Sequence, residues 1–225
     1  MKAERPNTRY AIHPIVLIAL LAFASGCASN TLAPSAFGTS AQIDFDDADG
    51  RTALRLEPDG NSIRVEGPKG RLIATVRENS DVLRVDDAAG ESKWIIQKIP
   101  DERLHLRVRS VPSNRIAFEL KEEPDGDLDI DDGNGNRIAT AKQRSYGYKL
   151  VSSEGNTLAR VRLRSGKISV RDHTGLTYLT TRDSISTRAV ALLALETLPV
   201  EAASGLGVAT AFWAGNPSPG ESTSP

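Results

Sequence analysis

From about residue 41 to residue 182 the chain alternates apolar and polar residues with a period of two. Leu104, Leu106 and Val108 are separated by His105 and Arg107. Ile116, Phe118 and Leu120 alternate with Ala117 and Glu119, Leu128 and Ile130 with Asp127, Asp129 and Asp131, and Ala159, Val161 and Leu163 with Arg160, Arg162 and Arg164. Such alternation buries one face of each strand and wets the other, the pattern of antiparallel sheet. It comes in units: "SIRVEGPKGRLIATVR", "VLRVDDAAGESKWIIQK", "LRVRSVPSNRIAFELK", "LDIDDGNGNRIATAKQ", "KLVSSEGNTLARVRLR" and "ISVRDHTGLTYLTTR" each read strand, turn, strand. A branched residue recurs at Val65, Val85, Val108, Ile130, Val151 and Val170, in steps of 20, 23, 22, 21 and 19 residues. A turn residue follows four or five positions later, at Gly70, Gly90, Ser113, Gly135, Gly155 and Gly175. Hairpin turns often need positive φ, which glycine adopts freely. Asp59-Gly60 and Asp125-Gly126, each after Glu-Pro, mark links between units.

Ile43 and Phe45, then Leu54 and Leu56, suggest a seventh hairpin ahead of the six, so the count is 12 to 14 strands, with about 12 expected in the barrel. An even ladder of short strands indicates a barrel, propeller or sandwich. The period of 40–45 residues that marks a propeller is missing. A membrane-spanning barrel needs an apolar outer band. "ARVRLR", "LHLRVR" and "LDIDD" instead place charge on one face of their strands, which predicts an outer surface that meets water.

After the ladder comes "AVALLALETLPVEAASGLGVATAFW", Ala189 to Trp213. Eight strands leave a lumen that side chains can fill; about twelve leave a wider one, which a central helix can occupy. A helix that is apolar nearly all round is a buried one. The pattern therefore predicts a core helix over about 185–213, capped at Ser184 or Ser186 and broken or kinked at Pro199. Glu196, Pro199 and Glu201 argue against a membrane span.

Serial hairpins followed by a hydrophobic C-terminal helix resemble the tubby C-terminal superfamily, which includes phospholipid scramblases and the plant LURP-one-related proteins. The resemblance covers about Ala41 to Trp213 and rests on the repeat wording "xVxDxxGxxIAxxx". It implies a twelve-stranded barrel around a hydrophobic helix. Neither tubby's phosphoinositide-binding residues nor a scramblase calcium segment can be matched to positions here, so those activities are not carried over.

The N-terminus changes the picture of where this domain sits. Lys2, Arg5 and Arg9 precede an apolar run from Ile15 to Phe23. Nine helical residues reach about 14 Å against a hydrocarbon core of about 30 Å, too short for a span. This is the layout of a secretory signal. Ala24, Ser25 and Gly26 before Cys27 resemble a bacterial lipobox, which implies cleavage between Gly26 and Cys27 and lipidation of Cys27. Cys27 is the only cysteine in the chain and has no intrachain disulfide partner. Ala28 after it, where inner-membrane retention favours aspartate, implies the outer membrane if the envelope is Gram-negative. The expected layout is a signal peptide at 1–26, a tether at 27–40, a single domain at 41–214 and a disordered tail at 215–225.

Composition narrows the function classes. A net charge of −1 supplies no global attraction to nucleic acid. "DIDDGNGNRI" (Asp129 to Ile138) and "DFDDADG" (Asp44 to Gly50) gather oxygen ligands but fit no EF-hand register. His105 and His173 have no metal-ligand spacing, and no G-x-S-x-G occurs. Gly205 and Gly207 begin a dinucleotide-like pattern that lacks its third glycine. No catalytic residue, cofactor or metal is expected. One basic strand face stands out: Arg160, Arg162 and Arg164, with Lys149 and Arg171 near, could meet phosphate or lipid headgroups. The reading is a lipid-anchored envelope protein with a non-catalytic binding or structural role, attached to the membrane through Cys27. The alternative is a lipid-handling protein that uses the barrel lumen or the C-terminal helix.

Overall fold

The computed structural model describes residues 42–79, 81–101 and 103–213. Gly26, Cys27, the tether and the tail from residue 214 lie outside the described residues. The strands are β1 (Ile43–Asp46), β2 (Thr52–Asp59), β3 (Ser62–Glu66), β4 (Leu72–Asn79), β5 (Val82–Asp87), β6 (Ser92–Lys98) and β7 (His105–Ser110). They continue as β8 (Ile116–Glu122), β9 (Leu128–Asp132), β10 (Arg137–Arg144), β11 (Gly147–Ser152), β12 (Thr157–Arg164), β13 (Lys167–Asp172) and β14 (Thr177–Thr181). Helices α1 (Thr187–Leu193) and α2 (Val200–Trp213) follow. Each strand pairs antiparallel with its sequence neighbours, and β1 pairs β14, which closes the barrel.

The strand count is fourteen, not about twelve, because the first hairpin, β1–β2, is a full member of the wall. The expected single helix is two helices. Pro199 stands between them, and its ring cannot continue a helix entered from Leu198. Ser186 is the N-cap of α1, accepting from the Ala189 N–H at 3.1 Å.

The extra pair of strands and the second helix belong together. Fourteen strands about 4.8 Å apart and tilted about 40° close at a diameter of about 28 Å. One helix about 10 Å across leaves such a lumen part empty, whereas two packed side by side span about 20 Å and leave room for the wall's own side chains. The pair does reach across. α1 rests on β11 and β12, α2 on β4, β5 and β6, and those strands lie on opposite sides of the ring. Arg188 at the start of α1 and Trp213 at the end of α2 meet at the same barrel mouth, so the helices run antiparallel.

The core is the predicted alternation made physical. Val65, Val85, Val108, Ile130 and Val170 point inward and are buried, as are Leu192, Leu195 and Leu206 on the helix side. Leu163 departs from the expected pattern: it stands next to the end of β12 and is 53% exposed. Gly205 and Gly207 are packing residues within α2. A β-carbon at Gly205 would sit 2.6 Å from Val85 Cγ2, and one at Gly207 would sit 2.6 Å from Leu193 Cγ. These glycines let α2 approach the wall on one side and α1 on the other.

Five hairpins, β1–β2, β5–β6, β9–β10, β11–β12 and β13–β14, share one turn. Gly50, Gly90, Gly135, Gly155 and Gly175 all take positive φ, and each donates its N–H to the carbonyl three residues earlier. The β7–β8 turn departs from the expected site: Asn114, next to Ser113, takes the positive φ.

Candidate functional site

The outer wall divides by charge. β1 to β9 carry nine lysines and arginines among thirteen carboxylates. β10 to β13 carry nine lysines and arginines and one carboxylate, Asp172. Asp172 is engaged in its own turn, accepting from the Thr174 hydroxyl at 2.7 Å and the Leu176 N–H at 2.9 Å. Those bonds, the Thr174 hydroxyl first, hold its carboxyl below the ordinary 3.8.

Register assembles the basic residues. Lys142 on β10 pairs Lys149 on β11, Lys149 pairs Arg160 on β12, and Arg160 pairs Arg171 on β13. Four cations thus stand in one row across four strands. Like charges directly opposite one another are unfavourable. The next row runs Arg144, Gly147, Arg162, Ser169 and Thr180, and beyond it Arg164 pairs Lys167. Arg144 reaches Asp127 at 3.8 Å, and Arg162 lies over the Tyr146 ring at 4.9 Å. No salt bridge reaches Lys142, Lys149, Arg160, Arg164, Lys167 or Arg171 among the described residues. The Nε of Arg162 and of Arg171 is buried without an acceptor, as is that of Arg84 and Arg109 on the far wall.

The structure therefore puts Lys149 and Arg160 side by side, sets Arg162 one row away and leaves Arg164 at the strand end. Lys142, Arg144 and Lys167 join the same face and were missed. Their alternation along β10 and β13 signalled an outward position; the pairing of β10 with β11 was what sequence alone left unread.

Elsewhere most of the strand cations have carboxylate partners among the described residues, with Arg84, Lys98 and Arg109 as exceptions. Arg55 Nε meets Asp44 at 2.7 Å, Arg107 Nε meets Glu119 at 2.7 Å, and Arg137 Nε meets Asp131 at 2.6 Å. Asp86, almost fully buried, accepts from Arg77 and from the Ser92 hydroxyl at 2.5 Å.

A second feature lies at the barrel mouth. A cavity of about 570 Å³ is lined by Lys98, Asp101, Arg103, Glu122, Arg188 and Trp213, among others. Arg188 binds Glu122 through two bonds, of 2.6 and 3.2 Å, and its Nε donates to Tyr148 Oη at 3.4 Å. A cation in the first turn of a helix opposes the helix dipole. Glu122 neutralises it and fastens α1 into the mouth. Leu104 N–H also donates to Glu122, at 3.2 Å, so the carboxylate is used up structurally.

The discounted motifs have structural explanations. In the Asp129–Ile138 stretch, Asp132 accepts from Asn134 N–H, Asn136 N–H and the Asn136 side chain at 2.8, 2.9 and 3.0 Å. These bonds, the Asn136 side chain first, depress its pKa below 3.8. In the Asp44–Gly50 stretch, Asp47 caps its turn in the same way. His105 stands 3.7 Å from Asp101, and His173 lies in the β13–β14 turn. Among the described residues no group of three or more histidines, cysteines or carboxylates is placed to hold a metal ion, and no helix is long and apolar enough to cross a membrane.

No family model matches the chain. No curated protein matches it either. Two solved structures share features with it. A protein from Arabidopsis thaliana is 14% identical over 72% of this chain and 93% of its own, with a TM-score of 0.38. BamB from Moraxella catarrhalis is 9% identical over 63% of this chain and 76% of its own, with a TM-score of 0.26. At these scores neither likeness carries an argument about this chain.

Proposed function

We propose that this chain is a lipid-anchored cell-envelope protein with a non-catalytic binding role, and that the outer face of β10–β13 holds an anionic partner. The observation that carries the binding half is the charge division of the wall: nine cations face one carboxylate on four neighbouring strands. A fold gains nothing from stacking like charges in register, so the arrangement makes sense as a complement to charge outside the molecule. The anchor half rests on the sequence around Gly26 and Cys27 alone. A lipidated Cys27 carrying several acyl chains holds a domain stably at a membrane, the outer one in a Gram-negative envelope. No residue is assigned a catalytic role.

A second reading places lipid headgroups on Lys149, Arg160, Arg162 and Arg164. Leu163, exposed near the end of β12 on the face opposite Arg162 and Arg164, favours it as an apolar contact at the rim. The helix pair fills the lumen, so lipid contact in this reading belongs to the outer rim. Kinship with the tubby superfamily is likewise our proposal; fourteen strands and a divided helix are departures from its pattern.

Palmitate labelling of the full chain in a Gram-negative host tests the anchor. Label in the wild type and none in Cys27→Ser, with the wild type floating in the outer-membrane fraction, is the expected result. An unlabelled wild type, or a Cys27→Ser protein that still floats, contradicts it.

A further inference from the structure

We propose that the face of β10–β13 binds one linear acidic polysaccharide, laid across the strands along the row Lys142, Lys149, Arg160 and Arg171. This rests on the anionic-partner reading and names the partner. Adjacent strands lie about 4.8 Å apart, so the row presents a cation at each such step. A single phosphate would engage one or two of them. A chain with an acidic group on each sugar repeats its charge on the same scale and engages all four.

The relief of the surface gives the chain a path. Beside the row of long cations runs a row of small residues, Gly147, Ser169 and Thr180, and Arg164 with Lys167 stands beyond it. The low row has two long side chains: Arg162 is drawn over Tyr146, and Arg144, at its β10 end, reaches toward Asp127. The result is a shallow trough with a cationic bank on each side and two hydroxyls along its floor. Ser169 and Thr180 can exchange hydrogen bonds with sugar hydroxyls.

Shape and composition set other polyanions aside. The row turns through about a fifth of the closed ring, so the face is convex. A flat bilayer touches a convex wall along a narrow strip, whereas a flexible chain follows the curve. Single-stranded nucleic acid is held by successive aromatic platforms. Here β10–β13 and the turns that join them carry two aromatic residues, Tyr148, which is buried, and Tyr146, which Arg162 covers, so no run of successive platforms is present.

The test is fluorescence anisotropy of the full chain in detergent. The probes are a labelled oligogalacturonate, galacturonic acid monomer as competitor, phosphatidylglycerol vesicles and single-stranded DNA. The proposal expects the oligomer to bind, the monomer to compete poorly and added salt to weaken binding. Lys149→Gln/Arg160→Gln should weaken it about tenfold, the loss of two charge-assisted contacts. Arg84→Gln/Arg109→Gln removes the same charge from the opposite wall and should leave affinity within about twofold. Circular dichroism of both variants controls for folding. Equal losses in the two double variants overturn the proposal. So does tighter binding to vesicles or DNA than to the oligomer, although the anionic-partner reading then survives. Binding to none of the four probes overturns both. The anchor is read separately by palmitate and is untouched by any of these outcomes.

Discussion

On β2, β4 and β7, Arg55, Arg77 and Arg107 each have a carboxylate within hydrogen-bonding distance. On β11, β12 and β13, Lys149, Arg160 and Arg171 face one another. The two walls share antiparallel hairpin architecture and an apolar inward face, and they differ in the charge that points outward. On the first wall the outward charges support the fold. On the second they oppose it, and removing one should help stability while harming binding. Sites that work against their own fold are where binding is expected.

The deepest test of the comparison is behind the walls. α1 lies against the basic wall and α2 against the paired one, and the interior is predominantly apolar on both sides. Leu192→Asp buries a charge at a fully buried position and should abolish folding, since the cost of several kcal/mol rivals a whole domain's stability. Gly205→Leu on the other side should cost about 3 kcal/mol by overpacking against Val85 and Ile96. Thermal melts followed by circular dichroism read both. A folded, soluble Leu192→Asp protein would mean the helix is not core.

Next come the outward charges. Asp86→Ala strips Arg77 and Ser92 of their acceptor and should destabilise by about 2 kcal/mol in urea unfolding. Arg160→Gln removes the centre of the like-charge row and should stabilise by about 0.5 kcal/mol at low salt. The same sign for both would erase the distinction between the walls.

The smallest effect is at their border, on β14. Burial first, then the carboxylates of Glu196 and Asp172, push the Tyr178 hydroxyl up to about 12 from 10.0. The unfolded chain then releases this proton first, so stability present below pH 10.0 is lost as pH rises toward about 12. Urea midpoints across that window should fall in the wild type and fall less in Tyr178→Phe. Parallel curves would show that Tyr178 does not sense its neighbours.

Much of this was legible from residues alone. Period-two alternation gave the strands, the recurring glycine gave the turns, and Pro199 marked where the apolar helix divides. Closure at fourteen was harder to read, because Ile43 to Leu56 is short and its pairing with β14 spans the whole domain. Pro199 signalled the break locally, but that two helices are needed to fill the lumen followed from that closure. Lys149, Arg160 and Arg162 were visible as outward residues of their strands. Arg171 was expected near them, but Lys142 and the alignment in one row were not, since a row across strands depends on register, which a one-residue slip would scramble. Arg188 and Glu122 are 66 residues apart, and nothing near either one announces the other.

The central claim is that the cations of β10–β13 serve binding at the expense of the fold. Thermal unfolding and oligogalacturonate affinity of Lys149→Gln/Arg160→Gln, measured together at low salt against the wild type, test it most directly. The account predicts a higher melting temperature with weaker binding. A lower melting temperature, or unchanged affinity, would contradict it.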